Sequence, residues 1–203
     1  MTDSKPAVPV HPGRRQLLLL AALFFLPVFA AILLYFVWPQ LRPSGTTNYG
    51  VLLTPVQEVP EMEFTDEQGR KLGEGALKHR WSVVYMGAKA CDEVCLAKLI
   101  QIRQVRLLLA DERSRVQRIY IAPDAAALQK AKAQFDKEQP DLIYLADTGR
   151  AGERAADFFK PTDPNALYLL DPRGNWLMVY PAASEYKGIL KDLKYLLKLS
   201  NIG

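Results

Sequence analysis

Cys91 and Cys95 are the only cysteines among 203 residues, and they stand four positions apart in Cys91-Asp92-Glu93-Val94-Cys95. Two thiols at that spacing can do two kinds of chemistry. On the first turn of a helix, positions i and i+4 lie about 5 to 6 Å apart at Cβ. A small adjustment brings them to the ~3.8 Å of a disulfide, so the pair can open and close one. As thiolates they can instead grip one soft ion; cuprous copper accepts few ligands, whereas a closed zinc site takes four and the chain supplies no second pair. A helix amino end lowers a thiol pKa, and Asp92 and Glu93 partly oppose this, so a moderately activated pair is expected. Cys91, nearer the helix start, is expected to be exposed and to attack, with Cys95 resolving the mixed disulfide. A merely stabilising bridge is the competing reading, but so short a loop removes little unfolded-state entropy.

The elements that would position this pair are legible as β-rich runs alternating with segments of helical period. The runs are 81–88, 116–122, 141–147, 166–171 and 175–181, with helices over 93–110 and 124–137 and a shorter one over 152–159. Asp171-Pro172-Arg173-Gly174-Asn175 has the proline and glycine of a tight turn, so the last two strands are expected to form a hairpin. Ile189, Leu190, Leu193, Leu196 and Leu197 share one side of a terminal helix, with Lys187, Lys191, Lys194 and Lys198 around the other. That helix is expected to close the sheet by its apolar stripe rather than to lie on a membrane by it. The order predicts an α/β, thioredoxin-like fold, a mixed sheet flanked by helices, with the cysteines just beyond the carboxyl end of its first long strand.

Ahead of this unit, residues 17–37 carry no charge over 21 positions, enough to cross about 30 Å of hydrocarbon as a helix. A secretory signal has a shorter apolar stretch and a small-residue cleavage site. The segment therefore reads as an uncleaved transmembrane anchor over 17–38, after a cytoplasmic tail over 1–16. Lys5, Arg14 and Arg15 precede it against Arg42 alone just after it, which predicts that the C-terminal part lies outside the cytoplasm. In a Gram-negative bacterium that means the inner membrane with the domain in the periplasm, where thiols meet oxidising conditions. Proline- and glycine-marked residues 39–55 read as an extended tether, and residues 56–203 as the domain.

The net charge of +4 falls to +2 once Asp3, Lys5, Arg14 and Arg15 are set aside, and no dense basic stretch carries stacking aromatics. Nucleic acid is thereby excluded as a partner. With 49% apolar residues and 12 glycines and 14 prolines, the chain is neither disordered nor fibrous.

Val83-Val84-Tyr85-Met86-Gly87-Ala88 running into the CxxxC segment resembles the Sco/SenC proteins, as do Ile119-Tyr120-Ile121-Ala122-Pro123-Asp124 and the segment from Ala166 to Gly174. The resemblance spans roughly the whole exported part. It implies a membrane-anchored thioredoxin-like factor for building the copper centre of cytochrome c oxidase, with Cys91 and Cys95 as ligands of cuprous copper. It also implies a histidine as third ligand shortly before the hairpin, and there this chain departs: the position falls at Asp163, followed by Pro164 and Asn165. A carboxylate is a hard, poor substitute on cuprous copper. His11 lies on the other side of the apolar span. His79 precedes the first long strand, about 26 Å from the cysteine end. Met86 is a soft donor expected to pack in the core. Pro164, just before a strand, is the candidate for the cis-proline that faces the dithiol in thioredoxin folds.

Three functions follow: thiol–disulfide exchange on a copper-binding subunit of a terminal oxidase or another exported thiol protein, carriage of cuprous copper by the two thiolates, and a noncatalytic assembly or scaffolding role on a degenerate fold.

Overall fold

The computed structural model describes residues 13–37, 48–150, 152–200 and 202. It divides into two units, an N-terminal one up to Thr46 and a larger one from Thr47 onward. In the first, helix α1 (Gly13–Phe36) runs through Pro27 and buries none of its residues; it is long and apolar enough to cross a membrane. The helix starts four residues ahead of the expected anchor. The rest of the expected tail, the last residue of the expected anchor (38) and the tether over 39–47 lie outside the described residues.

The second unit is built on an eight-stranded mixed sheet. Its strands are β1 (Val51–Glu58), β2 (Phe64–Thr65), β3 (Lys71–Leu72), β4 (Trp81–Met86), β5 (Val116–Ala122), β6 (Leu142–Asp147), β7 (Leu167–Leu170) and β8 (Asn175–Tyr180). They lie in the order β1-β8-β7-β4-β5-β6-β2-β3. β4, β5 and β6 are parallel, joined by crossover helices α2 (Glu93–Leu107) and α3 (Ala125–Phe135). β7 and β8 form the expected hairpin: Asp171 accepts from the amides of Arg173 and Asn175, and Gly174 takes a positive φ that an L side chain resists.

Central strands β4 and β7 are buried at every position, so they read as continuous apolar runs rather than as an alternation. Side chains from one face form a core with α2, α3 and the terminal helix α5 (Tyr186–Leu199), and both cysteines belong to it. The other face packs on α4 (Ala155–Phe159), a 3-10 turn at Glu74–Leu77, and Val59 and Met62. Met86 lies in this second core, the face away from the cysteines, as its expected packing role requires.

The tether read over 39–55 is corrected where it is described. Residues from Val51 onward form β1, paired antiparallel to β8 on the outer edge, with the register broken between Leu52 and Gln57. Pro55 gives up an amide donor, which an edge strand tolerates and a central one does not. The ordered unit thus begins before the expected boundary at residue 56. Its start is fastened by Asp192 of α5, 6% exposed, whose carboxylate accepts from the amides of Tyr49 (3.0 Å) and Gly50 (2.9 Å) and from the Tyr180 hydroxyl (3.2 Å). Asp192→Ala leaves the buried Gly50 amide without its acceptor and is expected to cost about 2 kcal/mol, read from a urea midpoint at unchanged slope.

Candidate functional site

β4 ends at Met86, and Gly87 holds the chain against β5 by donating its amide to Ile121 O at 2.7 Å. A Cβ at Gly87 would meet the Tyr120 ring at 2.2 Å, so only glycine lets the strand exit pass that ring. Residues 88–90 are exposed, and α2 then begins with Asp92 as its N-cap: the carboxylate accepts from the Cys95 amide at 2.9 Å. Cys91 therefore precedes the helix instead of sharing its first turn. A disulfide joins Cys91 to Cys95, with Cα atoms 5.3 Å apart. Gln134 of α3 donates to the Cys91 carbonyl at 3.2 Å, tying the loop to the neighbouring crossover.

The expected exposure of Cys91 is not found. Cys91 is 7% and Cys95 3% exposed, because both sulfur-bearing side chains turn inward onto the core beneath β4. Their cover is thin: residues 88–90 and 92–94 are all exposed, so approach is through the loop and the first turn of α2. Cys91 remains the more accessible of the two.

The loop before β7 reaches the same end of the sheet. Tyr85 of β4 donates its hydroxyl to Asn165 Oδ1 at 2.7 Å. Burial pushes the Tyr85 phenol up, with the charges of Asp92 and Asp163 adding to the shift. The peptide preceding Pro164 is trans; the cis peptide bond among the described residues is Thr54–Pro55, so Pro164 is not the cis-proline expected. A proline ahead of a strand is a necessary sign of that loop but does not fix the isomer.

Asp163, at the position expected for a third copper ligand, is engaged by backbone: Oδ2 accepts from the Ala182 amide at 2.6 Å and Oδ1 from the Asn165 amide at 3.0 Å. Lys98, 8% exposed and three residues beyond Cys95, lies close enough to feel it. Burial pushes the Lys98 ammonium down from its ordinary range, and Asp163 pulls it back up. Its Nζ donates to Gln101 Oε1 at 2.8 Å. Sequence reasoning missed Lys98; its only signal was a charged residue on the stripe of Cys95, Leu99 and Ile102.

His79 sits before β4, at the end of that strand away from Cys91. Among the described residues no group of three His, Cys, Asp or Glu side chains is placed to hold a metal ion. In their reduced form the two sulfurs are a donor set of the kind that suits a cuprous ion held by two ligands.

Asp92 separates two roles in one test. Asp92→Asn keeps a good N-cap and removes a negative charge beside the sulfurs. It is expected to leave the thermal midpoint within a few degrees and to raise the two-electron reduction potential. Asp92→Ala raises the potential too but loses about 1 kcal/mol of capping. An unmoved potential in both would show that Asp92 does not act on the thiolates.

Residues 81–200 match the family described as "Transmembrane-like, thioredoxin-like, C-terminal domain". The chain is 30% identical over 115 residues to a protein of Stutzerimonas stutzeri bearing the name "Putative copper-binding protein". That match covers 56% of this chain and 52% of the relative, so the chain spans about half the length of the curated relative it matches. Copper-bound Sco1 of yeast superposes with a TM-score of 0.57 at 19% identity, over 71% of this chain and 94% of that one. Apo Sco1 of Thermus thermophilus gives a TM-score of 0.60 at 19% identity, over 75% and 99%. The fold is therefore the thioredoxin-like fold of the Sco proteins, as the sequence resemblance implied.

Proposed function

This chain belongs to the transmembrane-like, thioredoxin-like C-terminal domain family, and from that membership we propose that it is a membrane-anchored thiol–disulfide exchange factor acting in the periplasm, on the bacterial inner membrane. Its substrate is the cysteine pair of a copper-binding subunit of a terminal oxidase, cytochrome c oxidase in the first instance, or of another exported thiol protein. The observation that carries the reading is the Cys91–Cys95 disulfide at the start of α2, under a thin cover of exposed residues.

In the reduced chain the Cys91 thiolate attacks one sulfur of the partner's disulfide, and the other partner sulfur leaves as a thiolate. Cys95 then attacks the Cys91 sulfur of the mixed disulfide and releases the partner's second thiolate. Two electrons pass from the dithiol to the partner, whose cysteines become free to take copper. An exported dithiol reductant restores the starting state.

Carriage of copper is the second reading, favoured by the name of the curated relative. Copper is cargo in that case: the two reduced sulfurs hold it, and Asp163 stays on its backbone amides. The deciding experiment takes the reduced full chain in detergent, titrates it anaerobically with cuprous ion against a competing chelator, and measures its reduction potential. Exchange with a defined two-electron potential and loss of copper to the competitor supports the first reading; stoichiometric retention without exchange overturns it in favour of the second. In cells, the Cys91→Ser/Cys95→Ser variant is expected to lower the copper content of the oxidase. Full copper content and activity would leave only the noncatalytic assembly role.

A further inference from the structure

We infer that the lysine face of α5 is a docking surface for an anionic lipid bilayer, the one this chain is anchored in. The inference rests on the membrane-anchor reading of α1. Lys187, Lys191, Lys194, Tyr195 and Lys198 are exposed and recur at steps of four, three, one and three, which puts them on one stripe of the helix. The opposite stripe, Ile189, Leu193 and Leu197, is spent on the core, so a membrane contact through apolar residues is closed to α5. What remains outward is charge of one sign. Asp192, the one acidic residue within the helix, is turned inward onto Tyr49 and Gly50. Lys187, Lys194 and Lys198 make no ion pair with a described residue. Four ammonium groups so placed repel one another, and a counter-charged surface relieves them.

The route of the chain says which surface that is. Tyr49, the second residue of the described segment, lies on this helix: a Cβ on Gly188 would come within 2.7 Å of its Cβ and 2.8 Å of its ring, and its hydroxyl accepts from Lys191 Nζ at 2.9 Å. The connection from α1 therefore joins the folded unit beside the lysines. Only eleven residues separate Val37 from Tyr49, and even fully extended they reach about 40 Å. So short a connection holds the lysine face at high effective concentration over the headgroups. Exposed Tyr49, Tyr186 and Tyr195 supply amphipathic rings of the kind that settle at a bilayer interface, and lysine stems lie along such a surface with their ammonium groups on the phosphates.

The test uses the full chain in lipid nanodiscs of phosphatidylcholine alone or with about one third phosphatidylglycerol, with brief lysine acylation read by peptide mass spectrometry. Lys187, Lys191, Lys194 and Lys198 are expected to label roughly threefold or more slowly in the anionic discs, and the difference to vanish in 0.5 M salt. Exposed Lys71, Lys89 and Lys130 serve as controls whose rates stay equal. Equal labelling of the α5 lysines in both discs overturns the inference and leaves the anchor standing. A chain that stays with neither disc overturns the anchor and the inference together. Protection that appears only in native membrane vesicles overturns the lipid assignment in favour of a protein.

Discussion

Cys95→Ser is expected to trap the chain on its substrate as a mixed disulfide, while Cys91→Ser captures nothing. The asymmetry follows from where α2 starts. Asp92 caps the helix, so Cys91 stands outside it and is the more accessible sulfur, while the Cys95 amide is drawn into the cap and its side chain lies deeper in the core. Attack therefore comes from Cys91, and Cys95 releases the partner. Without Cys95 the release loses its intramolecular advantage, and turnover against an oxidised peptide disulfide falls by roughly two orders of magnitude or more. Non-reducing gels and rapid-quench kinetics on the full chain in detergent read both effects. If the traps form equally from either single variant, the assignment of attacker and resolver fails. If the double serine variant still exchanges disulfides, the reaction does not pass through this pair. Because both side chains are buried beneath residues 88–90 and 92–94, the attack step is also expected to quicken when that cover loosens, as with Gln134→Ala, which cuts the tie to the Cys91 carbonyl.

The reactive pair and the strand that delivers it were legible because their signals are local: a spacing of four and an apolar run. β5 was readable to its ends since both faces of that strand are buried and turn signals bound it. β1 was not, because Pro55, Gln57 and Glu58 look like linker chemistry and only an edge position lets them pair. β2 and β3, two residues each, carry no period to read. The setting of the pair was hidden for another reason. Lys98 and Ser184, Tyr85 and Asn165, Gln134 and Cys91 meet across 86, 80 and 43 residues of sequence. Such meetings come from the stacking of crossovers onto one sheet face, which no local window contains. Asp192 shows the intermediate case: its place between Ile189 and Leu193 on the apolar stripe marks it as buried, but its partners Tyr49 and Gly50 lie at the other end of the unit.

Gly87→Ala is expected to be the most destabilising single-methyl change near the site, about 3 kcal/mol. The added carbon would lie 2.2 Å from Cζ and 2.3 Å from the hydroxyl of Tyr120, far inside contact distance. That ring cannot swing aside, because it stacks on Tyr85 with centroids 6.0 Å apart and meets Phe135 edge-on at 5.7 Å and Tyr144 at 6.3 Å. Burial is deep enough to push its phenol up to about 12. The main chain must therefore give way, which weakens the bond from Gly87 to Ile121 and shifts the loop that leads to Cys91. Stability and chemistry fall together: a lower urea midpoint accompanies an altered reduction potential. Combining Gly87→Ala with Tyr120→Leu removes the obstructing ring atoms, so the double variant is expected to be more stable than the sum of the single losses by 1 kcal/mol or more, roughly the coupling found between residues in contact. Strict additivity of the two would mean that the glycine is not kept by the ring, and that the loop owes its course to something other than this close approach.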